Sequence, residues 1–158
     1  MPILPGHGII KVVDVEAYVR QFRDPETGMS FPVTMMSLKL EDGRTFTMSH
    51  IPGEIVEAIN VLKNAMPTPR RQSVYIMLMD NEYFREMLSK MIKEVIIDEI
   101  DQRTGLYTAS LVLEGEGISF TIKMIPSHAV FLALIAGKPI YIREDLVREA
   151  EEEGFAEP

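Results

Sequence analysis

The sequence contains no cysteine, and only three of its 158 residues are histidine. The lack of cysteine excludes disulfide bonds and thiolate chemistry. The longest apolar run covers residues 129–137, far short of the roughly 20 residues that cross a bilayer. The first residues also lack the basic and apolar regions of a secretory signal. We therefore expect a cytoplasmic protein that does not associate with membranes.

Positive charge is scarce as well. Sixteen lysine and arginine residues stand against 24 aspartate and glutamate residues, which gives a net charge of −8. A charge of this sign repels phosphate backbones at long range, so a nucleic-acid partner is disfavoured unless the fold builds a local basic patch.

Several common functional motifs are also missing. The sequence has no phosphate-binding glycine loop, no zinc-ligand spacing and no Gly-x-Ser-x-Gly elbow. These absences count against a P-loop nucleotidase, a structural zinc site and a serine hydrolase. The 11 methionines are better explained as adaptable core side chains than as metal ligands.

What the sequence does contain is an internal repeat. "SLKLEDG" at 37–43 matches "SLVLEGEG" at 110–117, and "TFTMSHIPGEIV" matches "SFTIKMIPSHAV" further on. The offset is 73 residues at the first match and 74 at the second, which predicts one extra residue in the second turn. Two matched segments whose offsets differ by only one residue indicate duplication of one structural unit.

Each copy has the pattern of three short strands followed by a helix. Tight turns such as "EDG" and "GEG" between alternating strands predict antiparallel hairpins. We therefore predict a single α+β domain with an internal duplication of a three-stranded antiparallel unit followed by a helix. The predicted parts of this domain are repeat 1 at about 9–63, a long connecting helix at about 70–92, repeat 2 at about 93–137, and a C-terminal strand and helix at 138–153. A stop and restart of the connecting helix at Asp80 is the alternative, because "MDNE" contains good capping residues.

The two repeat helices differ in character. Each begins at an Ile-Pro pair, and proline suits the first helical position. The first helix is amphipathic, whereas "IPSHAVFLALIAG" at 125–137 is apolar on all sides and must be covered on all sides. Because a small domain seldom covers a helix completely, this segment predicts a homodimer.

The Pro-Ser-His corner before the apolar helix contains the first candidate catalytic residues, Ser127 and His128. Glu54 occupies the equivalent place in the first repeat, and His50 lies just before it. The remaining histidine, His7, lies near the N-terminus. The alternative is structural: His128 is satisfied by neighbours in the first helical turn, and Glu54 stabilises the positive end of its helix.

Two further groups are candidate ligands. Arg70 and Arg71 follow two prolines, and with Ser73 they form the best candidate anion-binding segment, because guanidinium groups match phosphate geometry. Asp14 and Asp98 stand at matching points of the first strands of the repeats and could form a symmetric pair of ligands. The alternatives are ion pairs with glutamate for the arginines and outward-facing strand positions for the aspartates.

Over about Val12 to Val147, the chain resembles the bifunctional nuclease domain family, long catalogued as a domain of unknown function. The resemblance rests on "KMIPSHAVFLALIAGKPIYIREDLV", "PTPRRQSVYIML" and "IPGEIVEAI". The positions that keep the apolar frame of the family are Pro126, Ser127, Ala129, Leu132, Ala133, Leu134, Gly137, Pro139 and Ile140.

The polar positions of the family pattern are changed. Its Asp, Arg, Asp and Arg positions correspond here, in order, to Lys123, Ile125, His128 and Ile135. Its Pro-Arg-Pro-Leu-Thr-His-Asp signature appears as "PRRQSVY" at 69–75, so valine and tyrosine replace the histidine and aspartate.

The resemblance implies a dimeric α+β nuclease that hydrolyses DNA or RNA, with a divalent metal such as Mg²⁺ or Mn²⁺ as a possible cofactor. Arg70 and the Ser127/His128 corner would lie near the scissile phosphate. The alternative, which the changed polar positions favour, is a non-catalytic dimeric module that binds a small anion or a protein partner.

Overall fold

The structure is a computed structural model that describes residues 8–153, so the candidate His7 lies outside the described residues. Its seven strands and five helices confirm the predicted α+β class. The elements in chain order are β1 (Ile9–Arg23), β2 (Ser30–Leu40), β3 (Thr45–Ser49), α1 (Gly53–Leu62), α2 (Val74–Asp80), α3 (Glu82–Met91), β4 (Ile92–Asp101), β5 (Leu106–Gly115), β6 (Ile118–Met124), α4 (Pro126–Ala136), β7 (Ile140–Arg143) and α5 (Glu144–Glu152). Three strands followed by a helix occur twice, at 9–62 and at 92–136.

The strands form one sheet in the order β3-β2-β1-β7-β4-β5-β6. Each repeat supplies a three-stranded antiparallel meander, and β7 lies between the two meanders. Strand β7 pairs antiparallel with β1 and parallel with β4, so β1 and β4 run in opposite directions. This arrangement is what a twofold relation between the repeats, with its axis through β7, would produce.

The sheet is strongly curved. Phe46 on β3 and Tyr107 on β5 are five strand positions apart, about 24 Å in a flat sheet, yet their rings make an edge contact at 5.1 Å between centroids. Helix α5 packs near this junction: Arg44, in the turn before β3, forms ion pairs with Glu144 at 3.0 Å and Glu151 at 3.2 Å. The residues that α5 buries are Leu146, Val147 and Ala150. The C-terminal helix therefore has one buried face.

The apolar helix α4 is buried within this one chain. It packs against α1, α3, β4 and β5, and none of its residues is exposed. Pro126 takes its first position, as predicted, whereas Pro52 caps α1 from one position before the helix. Burial of α4 by its own chain removes the reason for expecting a partner there, so the dimer stays a prediction that needs another surface. Within residues 8–153, no helix is both long and apolar enough to cross a membrane.

The connecting segment is two helices rather than one helix over about 70–92. Ser73 caps α2 by accepting a hydrogen bond from the backbone N–H of Ile76 at 3.3 Å. Asn81 has extended backbone angles and accepts from the N–H groups of Tyr83 and Phe84. Because Asn81 satisfies the first free N–H groups of α3, the chain stops and restarts there, which is the alternative that the sequence offered.

The two hairpins differ in register. Phe46 and Phe120 align in the repeat, but Phe46 pairs with Leu38 whereas Phe120 pairs with Leu113. The second hairpin closes in a two-residue turn at 116–117 with positive φ at both residues, 51° and 79°, as a type I′ turn requires. Compared with β3 on β2, β6 is therefore shifted along β5 by two residues. Because the shift is an even number of residues, each side chain of β6 stays on the same face of the sheet as its equivalent in β3.

Candidate functional site

The beginnings of α2 and α4 meet at one corner of the molecule. The ring of Tyr75, in α2, stands edge-on to the ring of His128, in α4, with centroids 5.6 Å apart and planes at 90°. Tyr75 makes a second edge contact with Phe131 at 5.5 Å. The Tyr75 hydroxyl lies 3.5 Å from Nε2 of His128, at the upper limit of a hydrogen bond. The pair is therefore held chiefly by ring packing.

Arg70 and Arg71 lead into this corner from the N-terminal side of α2. Both are exposed, and neither side chain has an ion pair or hydrogen bond with another of the residues 8–153. Arg71 is four residues before Tyr75, so the two Cα atoms are at most about 14 Å apart. We call the set Arg70, Arg71, Ser73, Tyr75 and His128 the α2–α4 corner.

The two candidate serines have different surroundings. Ser73 uses its oxygen to cap α2, which leaves its hydroxyl hydrogen available to a bound anion. Ser127 is only 3% exposed, so it lies beneath the surface of the corner, and a ligand would reach it only after a rearrangement. Of the two hydroxyls, Ser73 has the better access.

Two further candidates do not join the corner. Glu54 is exposed in the first turn of α1 and has no hydrogen bond or ion pair with any residue in the described part of the chain. The imidazole of His50 lies 3.0 Å from the hydroxyl of Ser49, and its φ of 60° places it in the left-handed region. Neither residue contacts His128 through a polar group.

Asp14 and Asp98 are in separate polar clusters. Asp14 accepts a hydrogen bond from Lys63 at 3.0 Å, and this bond is the main reason that its pKa is lowered. Asp98 accepts from Ser110 at 2.8 Å, and Lys123 lies 3.7 Å from the same carboxylate oxygen. Asp14 is exposed, as the outward-facing alternative predicts, whereas the side chain of Asp98 is only 23% exposed.

The α2–α4 corner lacks the ligands of the divalent metal that the resemblance implies. Across residues 8–153, no three histidine, aspartate or glutamate side chains are placed to hold a metal ion. The corner supplies an imidazole, a phenol and hydroxyls, and no described carboxylate is hydrogen-bonded to Tyr75 or His128. Because Mg²⁺ and Mn²⁺ prefer carboxylate and other oxygen ligands, this donor set does not fit them.

A second cationic feature is an open cleft of about 460 Å³ between the C-terminal ends of α1 and α4 and strands β1 and β7. Three lysines line it: Lys11, Lys63 and Lys138. Lys63 is paired with Asp14, whereas no ion pair involves Lys11 or Lys138 within the described residues. Sequence reasoning missed this lysine cleft, although Lys63 directly follows α1 and Lys138 follows α4 after Gly137.

Tyr75 is the other residue that sequence reasoning did not select. It occupies an aspartate position of the family signature, and that substitution was the only available signal. The contact with His128 itself depends on how α2 packs, which no local pattern reveals.

Comparison with known protein families matches residues 53–154 to the bifunctional nuclease domain. The match covers about two thirds of the 158 residues and includes both helices of the corner. A search of curated proteins found no match. The chain belongs to the bifunctional nuclease domain family.

Proposed function

We propose that this protein binds a phosphodiester of DNA or RNA at the α2–α4 corner and hydrolyses it there, with His128 moving the proton. The observation that carries the proposal is the contact between Tyr75 and His128. These residues stand at two aspartate positions of the family pattern, in segments 53 residues apart, and both are changed. The replacement of both family aspartates at two residues that contact each other is expected of a site whose residues have changed together.

Each group in the corner has a distinct role in this proposal. Arg70 and Arg71 hold the non-bridging phosphate oxygens, since their guanidinium groups are exposed and form no ion pair with any residue of 8–153. Tyr75 keeps the imidazole plane of His128 in place by edge packing. His128 takes a proton from the attacking water as the water oxygen bonds to phosphorus, the phosphorus–oxygen bond to the leaving group breaks, and His128 gives the proton to the leaving oxygen. No step is assigned to a metal ion, because the donor set does not fit one.

The net charge of −8 predicts weak and salt-sensitive binding. At physiological ionic strength the screening length is about 8 Å. The two exposed arginines therefore attract a nearby phosphate, while repulsion from acidic residues further away is largely screened. Two phosphate contacts predict that the logarithm of the binding constant falls with the logarithm of salt with a slope of roughly −1.4 for single strands.

The test combines binding and cleavage on a purified preparation. We expect Arg70→Ala/Arg71→Ala to weaken binding of single-stranded RNA and DNA by on the order of 10-fold or more and to flatten the salt dependence. We expect His128→Gln to leave binding intact and to lower cleavage by on the order of 100-fold. Arg103→Ala is the matched control, because its side chain is 88% exposed on the β4–β5 turn. Cleavage that survives both corner variants would assign the activity to a contaminant and refute the catalytic role.

A non-catalytic module that binds a small anion is the second candidate, and two observations favour it. Ser127 is buried, and no carboxylate hydrogen-bonds to His128 within the described residues, so a single proton-transfer group stands alone. This function predicts that the arginine variant loses phosphate binding while no preparation, including the wild type, turns over substrate. The proposed location of either function is the cytoplasm, which a fluorescent fusion would test.

A further inference from the structure

The lysine cleft lies where strands β1 and β7 stop pairing. Their antiparallel pairing ends at Lys11, and a bulge between Val12 and Asp14 then shifts the register of β1 against β2. The extra residue of this bulge, Val13, is 59% exposed and lines the cleft. On the opposite side Pro139 leads into β7, and proline has no N–H with which to extend the pairing. The opening between the two strands is therefore built into the fold.

Positive charge dominates this cleft. Three of the four charged side chains that line it are lysines, and the fourth is Asp14. Lys63 pairs with Asp14 at 3.0 Å, whereas Lys11 and Lys138 form no ion pair or side-chain hydrogen bond with any residue of 8–153. Three positive charges and one negative charge leave a net charge of +2 at the cleft, in a chain whose overall charge is −8. Like charges held together repel one another, and a ligand with two negative charges relieves that repulsion.

The two helix ends beside the cleft do not use the lysine side chains. Lysines near a helix C-terminus often bond the last free carbonyls. Here backbone groups do so, because the N–H of Lys63 donates to Ile59 at 3.0 Å and the N–H of Lys138 donates to Ala133 at 2.9 Å. In the described part of the chain, the ammonium groups of Lys11 and Lys138 bond no helix carbonyl. Both ammonium groups are therefore available to a ligand.

The walls between the lysines are largely apolar. Val13 is exposed, and Leu62, Leu134 and Tyr141 are half-buried, so each presents apolar surface to the cleft. The volume of about 460 Å³ lies within the range of roughly 300–1,000 Å³ that is usual for small-molecule sites. These dimensions and this lining suit a small ligand with a charged head and an apolar body.

We propose that the lysine cleft binds a small phosphomonoester whose organic part is apolar. A phosphomonoester carries a charge of about −1.5 to −2 at pH 7, which matches the net charge of the lining, whereas a carboxylate or a phosphodiester carries only one. Lys11 and Lys138 contact the phosphate oxygens, as lysine does in many phosphate sites. The organic part packs against Val13 and Leu134. The inference does not rest on the proposed function, since the cleft and the α2–α4 corner share no residue.

The experiment is a nuclear magnetic resonance titration of the full chain with phenyl phosphate. We expect backbone amides of residues 11–15, 62–64 and 137–141 to shift and saturate together. The expected dissociation constant is about 1 mM or tighter, the weak end of the usual range for small substrates. No saturable shift in these three segments would overturn the proposal.

Two further ligands test the chemistry on the wild-type protein, without any variant. Phenyl sulfate has a similar shape but one charge fewer, and we expect it to bind on the order of 10-fold more weakly. Inorganic phosphate lacks the ring, and we expect a loss on the order of 10-fold because no apolar surface is buried. Equal affinity for phenyl sulfate would contradict the match to a dianion, and equal affinity for inorganic phosphate would contradict the apolar part.

Variants assign the lysines. Lys11→Met and Lys138→Met should each raise the dissociation constant for phenyl phosphate on the order of 10-fold, because each removes a charged hydrogen-bond donor. Lys90→Met is the matched control, since Lys90 is exposed on α3 and the same charge is removed outside the cleft. An effect of Lys90→Met as large as that of the cleft variants would reduce the binding to overall charge and overturn the site.

The variant Arg70→Ala/Arg71→Ala separates this site from the α2–α4 corner. We expect it to leave phenyl phosphate binding at the cleft unchanged, whatever it does to nucleic acid. In this variant, a 5′-phosphorylated oligonucleotide should bind the cleft more weakly than phenyl phosphate, because a polar sugar follows its phosphate. Phenyl phosphate shifts confined to residues 70–75, or tighter binding of the oligonucleotide at the cleft, would overturn the assignment to a small apolar phosphomonoester.

Discussion

Truncation of Tyr75 tests how the α2–α4 corner is held together. Its ring makes edge contacts with His128 and Phe131 at 5.6 and 5.5 Å, and each such pair contributes about 0.5–1.5 kcal/mol. Because the ring is half-buried, its loss costs about half of the 3–5 kcal/mol typical of a buried aromatic. We therefore expect Tyr75→Ala to lower the free energy of unfolding by about 1.5–2.5 kcal/mol.

Tyr75→Phe separates the ring from the hydroxyl. Since the hydroxyl lies 3.5 Å from Nε2 of His128, we expect this change to cost less than about 0.5 kcal/mol. Urea unfolding followed by circular dichroism measures both variants, and Tyr83→Ala is the control because Tyr83 is 74% exposed. Equal losses in Tyr75→Phe and Tyr75→Ala would show that the hydrogen bond, and not ring packing, holds the corner, and would refute the reasoning.

Two further predictions concern stability outside the corner. The pKa of Asp14 is lowered in the folded state, so its pairing with Lys63 stabilises the fold above the unfolded pKa near 3.9, and this stabilisation is lost as pH falls through the folded pKa. Because the pair is exposed, we expect Lys63→Met to lower the unfolding free energy by less than about 0.5 kcal/mol at pH 7 and to leave it unchanged at pH 2, as measured by urea titration. A loss of stability that persists at pH 2 would contradict this prediction. Gly137 ends α4 with a φ of 68°, so Gly137→Ala should lower the unfolding free energy by about 1 kcal/mol, and an unchanged thermal midpoint would contradict the backbone argument.

Local features of the sequence were predictable because local chemistry determines them. Pro126 and Gly137 mark the beginning and end of α4, and the structure places both as helix-terminal chemistry requires. The order of three strands and a helix in each repeat likewise followed from turn residues and alternation. The break at Asn81 was visible only as an alternative, since capping residues permit a helix start without requiring one.

Features that depend on distant packing were not predictable. The insertion of β7 between the repeats joins strands far apart in sequence, and no local periodicity encodes strand order. The all-apolar pattern of α4 indicated complete burial but not which elements bury it, and α1, α3 and the sheet of the same chain do so. The contact of Tyr75 with His128 similarly arises from the docking of α2 beside α4.

The claim that the α2–α4 corner is the phosphate site is tested most directly by nuclear magnetic resonance titration with a short single-stranded oligonucleotide. The proposed function predicts that backbone amides of residues 70–75 and 126–128 shift first and saturate together, and that these shifts weaken in Arg70→Ala/Arg71→Ala. Shifts confined to the lysine cleft around Lys11 and Lys138, with the corner unmoved, would contradict it.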